Sequence, residues 1–500
     1  MLDRRLVKSL ARTVGRQHVL TQPADLLVYS YDSSTAVGTP DAVVLPASTE
    51  QVAGILRLCH QHRLPFIARG AGTNLSGGSA PVHGGLVVGL TRMNRVLEVD
   101  AANQVAVVQP GVVNLQFQAL LAPDGLQFCP DPASQKVSTI GGNVAENAGG
   151  PHCLKYGVTV NHVLGLTVVL PSGEVRQLGS RALETCSEVA RPQPGKPRPA
   201  HFPGGNAPLS VCPCELPGYD LVGLFIGSEG TFGVATEMIL RLRPLPESTQ
   251  VVVAIFDTLE ASGEAVSRII AEGILAAALE IMDRSTMEAV EASFPSGLPT
   301  DAEALLLIEL DGLKEALDRR ASRCAEICRE FHARQVEIGR TAEDRERLWA
   351  ARRSAFGATA RLSPSMLVND ATVPRTRIPE VLRQMQEIER RHGLRIAKVF
   401  HAGDGNLHSN ILFRRDDPAE LERAKAASVE IFHLCASVGG TITGEHGVGS
   451  EKPEYMRLIY SPDDLAAQRQ LKRVFDPAGL ANPGKVLPEE AEAGMAGAHA

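Results

Sequence analysis

Three stretches of this 500-residue chain carry almost no side-chain bulk, and each interrupts a pattern of short apolar strands and helices. Gly70-Ala-Gly-Thr-Asn-Leu-Ser-Gly-Gly78 follows the strand-like Leu64-Pro-Phe-Ile-Ala-Arg69, a second stretch runs from Pro130 to Gly150, and a third from Ile226 to Val234. Small residues let successive backbone N–H groups turn toward a phosphate and let a flat ligand lie against the main chain. The first stretch is not the dinucleotide fingerprint, because its glycine spacing differs and the strand-like GGLVVGL of residues 84–90 follows instead of a helix. One such loop is as easily a structural turn. Three of them, each expected at the end of a strand, read as the cradle of one large planar ligand with a pyrophosphate.

A second constraint lies in His401-Ala-Gly-Asp-Gly-Asn-Leu-His408, set between two apolar runs. Asp404-Gly405 is a two-residue hairpin signal and would pair Gly403 with Asn406, Ala402 with Leu407 and His401 with His408. Opposed residues share a face with Cβ atoms about 4.5–5.5 Å apart, so both imidazoles can hold one divalent metal such as zinc, iron or manganese. Glu445, in Gly444-Glu-His-Gly447 one helix later, supplies a third ligand. His446 beside it titrates near working pH and is the natural general base. Asn410, two residues beyond His408, shares its strand face and is placed to hydrogen-bond a substrate. A zinc hydrolase would use the same ligand set, yet it has no use for the three small-residue loops; a flavin-binding regulator would need the loops but not His446.

Composition narrows the classes. Five hundred residues exceed one hydrophobic core, so two or three domains are expected. With 44% hydrophobic and 21% charged residues the chain is an ordinary globular protein, and a net charge of −7 argues against nucleic-acid binding. No apolar run reaches the roughly 18–20 residues of a transmembrane helix. The first residues lack a secretory apolar core and read as a short amphipathic helix. Nine scattered cysteines, with Cys212/Cys214 and Cys324/Cys328 the close pairs, suit reduced thiols in a cytoplasm rather than a disulfide framework or an iron–sulfur cluster. Residues 41–46 read as a strand, and a helix starting at Thr49, with Thr49 its N-cap, runs to about Arg63.

ARGAGTNLSGG (68–78), PDPASQKVSTIGGNVAENAGGPHCLKYG (130–157), GSEGTFGV (227–234), HAGDGNLH (401–408) and GEHGVG (444–449) resemble, in this order, motifs of the FAD-linked 2-hydroxy-acid dehydrogenases. These enzymes share the vanillyl-alcohol-oxidase-type, or PCMH-type, FAD fold, and the resemblance extends to glycolate oxidase flavin subunits and D-lactate dehydrogenases. The resemblance spans roughly residues 20–487. It implies an α+β architecture: a two-subdomain FAD-binding domain over residues 1–245, then a substrate and metal domain over 246–450 built on an antiparallel sheet covered by helices. Residues 451–488 would return to the flavin, and 489–500 would be a disordered tail. Residues 181–217, rich in Pro and Gly, read as a long loop insertion longer than the family pattern.

Carried over position by position, the resemblance assigns the pyrophosphate to Arg69, Gly70, Ala71, Gly72, Thr73, Asn74, Ser76 and Gly77. Pro132, Ser138, Thr139, Gly141, Gly142 and Ala145 would follow the adenosine and isoalloxazine path. Gly149, Val158 and Val234 would add backbone contacts, and Asn482 would close over the flavin. Relatives with covalent flavin carry a histidine or cysteine in the first loop; this chain has neither there, which implies non-covalent FAD. Arg352, three residues after Trp349, would grip the substrate carboxylate through paired hydrogen bonds. Relatives acting on 2-hydroxyglutarate place a lysine near Met366–Thr372, and its absence disfavours a dicarboxylate. The expected reaction is oxidation of glycolate or D-lactate to the 2-oxo acid. Electrons would pass to an iron–sulfur partner subunit, which would hold the chain peripherally at the inner membrane, or to an external acceptor, as in a stand-alone D-lactate or D-2-hydroxyglutarate dehydrogenase.

Overall fold

The computed structural model describes residues 2–179, 218–339 and 341–489. The expected insertion at 181–217 with Cys212 and Cys214, and the expected tail beyond Glu489, lie outside the described residues.

Apolar runs make the first sheet. Ala42–Val44, Leu86–Gly89 and Phe66–Arg69 pair in parallel in that spatial order, nearly every residue buried, as strands covered on both faces require. Val19–Leu20 adds an antiparallel edge. The connecting helix Thr49–His62 buries Val52, Ile55, Leu56 and Cys59, a three-four spacing that puts one face on the sheet. Its N-cap is Ser48 rather than Thr49: the Ser48 hydroxyl accepts from the Gln51 amide, and Thr49 is already helical.

A second sheet of five antiparallel strands runs Val96–Asp100, Val105–Val108, Val234–Arg241, Val163–Val169, Val175–Gly179. The third is the largest. Seven antiparallel strands run Gln335–Gly339, Ser248–Phe256, Ala304–Gly312, Ala278–Asp283, Arg395–His401, Asn406–Phe413, Ser365–Thr372. Its apolar strands bury both faces with a period of two. Val252, Ala254 and Phe256 pack under helices Leu259–Ala271, Lys314–Glu330, Ile378–His392 and Pro418–Ser437, while Val251 and Val253 pack under Arg284–Ser293 and Ala342–Thr359. The whole is the α+β arrangement that the resemblance implies.

The chain then turns back. After helix Pro462–Phe475 the Leu480 carbonyl accepts from Phe66 N at 2.9 Å and Asn482 N donates to Phe66 O at 2.8 Å, joining residues 480–482 to the first sheet. Phe475 stacks on Phe232 with centroids 4.5 Å apart.

One buried histidine makes stability depend on pH. His162 has no exposed surface; its Nε2 donates to Tyr156 O at 2.9 Å and its Nδ1 has no partner. Burial pushes its pKa down to about 4. The unfolded chain takes up a proton near pH 6.5 that the folded chain refuses, so this contribution is intact above about pH 6.5 and falls away toward pH 4. The expected loss is about 3 kcal/mol over that interval. Urea midpoints at pH 7 and pH 4.5 for wild type and His162→Gln check it: the variant is less stable at pH 7 and loses less on acidification.

Candidate active site

The histidine hairpin folds differently from its sequence signal. His401 pairs with Asn406, so the loop is the four residues 402–405 and not a two-residue Asp404-Gly405 turn. Asp404 Oδ1 accepts from Asn406 N at 3.1 Å, a side-chain turn that widens the loop. Gly405, at φ 86°, passes so close to the Val373 carbonyl that a Cβ there would sit 2.2 Å from it. His408, two residues beyond Asn406, is therefore a diagonal neighbour of His401 on the same face, and the rings meet edge-on with centroids 5.0 Å apart.

Glu445 reaches this face from the loop after Pro418–Ser437. Its Oε1 lies 3.3 Å from His401 Nε2 and 3.3 Å from His408 Nε2. Ligand atoms at the corners of a tetrahedron around zinc stand about 3.4 Å apart, so the residues fit a divalent cation. Burial alone would raise the Glu445 pKa, but hydrogen bonds from His401 and His408 hold it well below the carboxylate range. Behind His401 lies Glu280, with no exposed surface, its oxygens 2.7 and 2.9 Å from His401 Nδ1. Behind His408 lies Asp370, Oδ1 3.5 Å from Nδ1.

Asp370 also shapes the Glu445 loop. Its Oδ2 accepts from the backbone N–H of Gly444, Glu445 and His446 at 3.0, 3.0 and 2.7 Å and from the Thr443 hydroxyl at 2.8 Å. These donors hold an otherwise side-chain-poor loop in one conformation. His446 stacks flat on His408, centroids 4.9 Å apart, with Nε2 4.0 Å from Glu445 Oε1 and Nδ1 buried without a partner. Burial pushes its pKa down to about 4, with Asp370 pulling the other way, so the ring is neutral at pH 7 but a weaker base than the ordinary imidazole that its sequence context suggests. Asp370, His408 and His446 also form a second cluster whose ligand atoms lie within 4.8 Å of one another.

His401, His408, Glu445 and His446 stand on the wall of a cavity of about 1170 Å³. That exceeds the few hundred to 1,000 Å³ of ordinary small-molecule sites and matches a dinucleotide with room for a substrate. Residues 69–74 line one side; Pro132, Thr139, Gly141, Gly142 and Ala145 line another, with Gly149 and Val234. A Cβ on Gly70 would lie 2.4 Å from Thr139 Oγ1, so the first two loops approach as closely as they do only because Gly70 has no side chain. The third loop follows the short helix Leu221–Phe225 and leads into the strand Val234–Arg241, rather than ending a strand.

Ser76, Gly77, Ser138, Val158 and Asn482 stand outside the cavity lining. Ser76 Oγ lies 3.0 Å from the His446 carbonyl, tying the first loop to the histidine loop. Asn482 Nδ2 donates to Gly78 O and Glu229 O at 2.8 and 2.7 Å, and Lys485 binds Gly77 O and Ala80 O, so the returning segment staples the first and third loops from behind. Asn410 also stays off the lining: it is fully buried between Val368 and Ala397, with both amide atoms unpartnered. Arg352 lines the cavity, but its Nε and Nη2 are held by Glu280 at 2.7 and 2.5 Å. Only the edge carrying Nη1 remains for a carboxylate.

Glu229, Asp370 and Glu280 escaped the sequence reading. Glu229 binds Val448 N and Gly449 N, each at 2.7 Å. The available signal was the same for Asp370 and Glu280: a carboxylate inside an apolar strand, which is buried only when paired.

Family comparisons extend the reading to the whole chain. Residues 40–179 match the family described as "FAD binding domain", and residues 245–486 match "FAD linked oxidases, C-terminal domain". The chain belongs to the FAD-linked oxidase family. It is 39% identical to "Glycolate oxidase subunit GlcD" of Bacillus subtilis (strain 168), over 98% of each chain. Identity is 40% to "Glycolate oxidase subunit GlcD" of Escherichia coli (strain K12), over 97% of this chain and 91% of that one. It is 31% to "D-lactate dehydrogenase" of Anaerostipes hadrus, over 92% of each. The solved structure of 4-ethylphenol oxidase from Gulosibacter chungangensis shares the fold, with a TM-score of 0.75 at 20% identity over 97% of each chain. Among the described residues no helix is long and apolar enough to cross a membrane.

Proposed function

We propose that this chain is the flavin-bearing subunit of a 2-hydroxy-acid dehydrogenase, oxidising glycolate or D-lactate to the 2-oxo acid with help from a divalent metal held by His401, His408 and Glu445. The observation that carries the metal is the position of Glu445 Oε1, 3.3 Å from two imidazole Nε2 atoms on the wall of the FAD cavity. FAD would be held non-covalently along Arg69–Asn74, Thr139, Gly141, Gly142 and Ala145, and would supply the hydride acceptor. A cation held by His401, His408 and Glu445 would supply Lewis acidity, which makes a hydroxyl a stronger acid. The remaining work falls to the chain. Arg352 presents its Nη1 edge to the substrate carboxylate, and His446 Nε2 takes the hydroxyl proton. The name of the 39–40% identical relatives, a subunit, supports a partner that carries the electrons onward.

An anaerobic titration of the purified yellow chain tests this. Glycolate or D-lactate bleaches the oxidised flavin band, L-lactate and D-2-hydroxyglutarate do so poorly, and prior EDTA treatment slows bleaching at least tenfold until zinc or manganese is restored. A chain that stays colourless with added FAD refutes the reading, and bleaching indifferent to EDTA removes the metal from it.

A further inference from the structure

Glu280 sits in the middle of Ala278–Asp283, a fully buried strand, with no exposed surface of its own. Among the described residues its side-chain hydrogen bonds and ion pairs go to the candidate chemistry: His401 Nδ1 at 2.7 and 2.9 Å, Arg352 Nε at 2.7 Å and Nη2 at 2.5 Å. A carboxylate there does nothing for folding that a well-packed apolar residue of similar volume would not do as well or better.

We propose that Glu280 is a positioning residue that orients the metal ligand His401 and the carboxylate anchor Arg352 together. The inference rests on the ligand and anchor roles proposed above and adds the group that sets both. An imidazole that ligates a cation through Nε2 keeps one ring proton, and that proton must sit on Nδ1. Glu445 faces Nε2 at 3.3 Å; Glu280 faces Nδ1 with both oxygens, 2.7 and 2.9 Å away. The shorter, doubled contact draws the proton to Nδ1 and leaves the Nε2 lone pair directed at Glu445, where a cation is to be bound. Without Glu280 the Nε2–H tautomer, whose proton hydrogen-bonds Glu445 across 3.3 Å, competes with the cation. The same carboxylate fixes the Nε–Nη2 edge of Arg352, so the guanidinium plane cannot turn and its free edge keeps one bearing toward the cavity. Hydroxyl site and carboxylate site are thus held at a constant separation through one side chain.

The test is zinc titration of EDTA-treated, FAD-loaded protein against a chromophoric chelator, together with the pyruvate concentration needed to perturb the flavin spectrum. Glu280→Gln is expected to keep FAD, bind zinc 10–100-fold more weakly and need at least tenfold more pyruvate. Zinc affinity within twofold of wild type in Glu280→Gln, but lost in His401→Ala, reduces Glu280 to a structural ion pair and overturns the inference alone. Zinc affinity unchanged in His401→Ala as well overturns the ligand reading and takes the inference with it. Glu280→Gln leaves the Arg352 charge buried and unpaired; where that prevents folding, Arg352→Met is compared with Arg352→Met/Glu280→Gln. The 10–100-fold drop in zinc affinity must then appear between those two, and its absence overturns the proposal.

Discussion

Turnover of His446→Ala falls about 10²–10⁴-fold, the range for removing a positioned general base, while FAD and metal content stay at wild-type levels. The loop that carries His446 does not depend on its ring. Three backbone N–H groups and the Thr443 hydroxyl bind Asp370 Oδ2, and Val448 N and Gly449 N bind Glu229, so Glu445 keeps its place when the imidazole is gone. Metal analysis beside single-turnover flavin reduction gives the answer. If metal leaves with the ring, His446 is a ligand in the cluster with Asp370 and His408 rather than the base. Near-wild-type turnover removes it from the chemistry altogether.

Gly149→Ala is expected to be nearly as damaging, although it adds one methyl group in a different part of the chain. A Cβ at Gly149 lies 2.6 Å from Glu445 Oε2 and 2.8 Å from Cys153 Sγ, nearer than real Cβ atoms approach anything. The Glu445 carboxylate must move, and a displacement of about 1 Å in a reacting group costs on the order of 10²-fold in rate. Loss of metal accompanies the loss of rate. Full metal content with full activity would mean that the loop around Gly149 yields, and that Glu445 does not need this seat.

Much of the site was legible in the chain because it is written in residue types with few alternative uses. Runs of glycine, alanine and serine cannot build a core, so the three loops had to face something other than packing. The pairing of His401 with His408 followed from their strand parity and survived an error in register: a four-residue loop replaces the two-residue turn, yet positions two apart along a strand keep the same face. The hidden part consists of carboxylates whose partners are remote in sequence. Glu280 stands 72 positions from Arg352 and 121 from His401, and Asp370 lies 76 positions from His446. No local pattern marks such pairs, because a lone acid in an apolar strand reads the same whether it meets an arginine, a backbone nest or nothing.

The sequence by itself determined the kind of site: small-residue loops for a large flat cofactor, and imidazoles with a carboxylate beside them. Tertiary structure alone decided how that site is held. Gly149 becomes the seat of Glu445, Ser76 and Asn482 become staples behind the cavity wall, and half of Arg352 is occupied by Glu280 before any substrate arrives. The physical reason is that residue type sets which interactions a side chain can make, whereas burial and distance select the one it does make, and both exist only once strands far apart in the chain lie side by side.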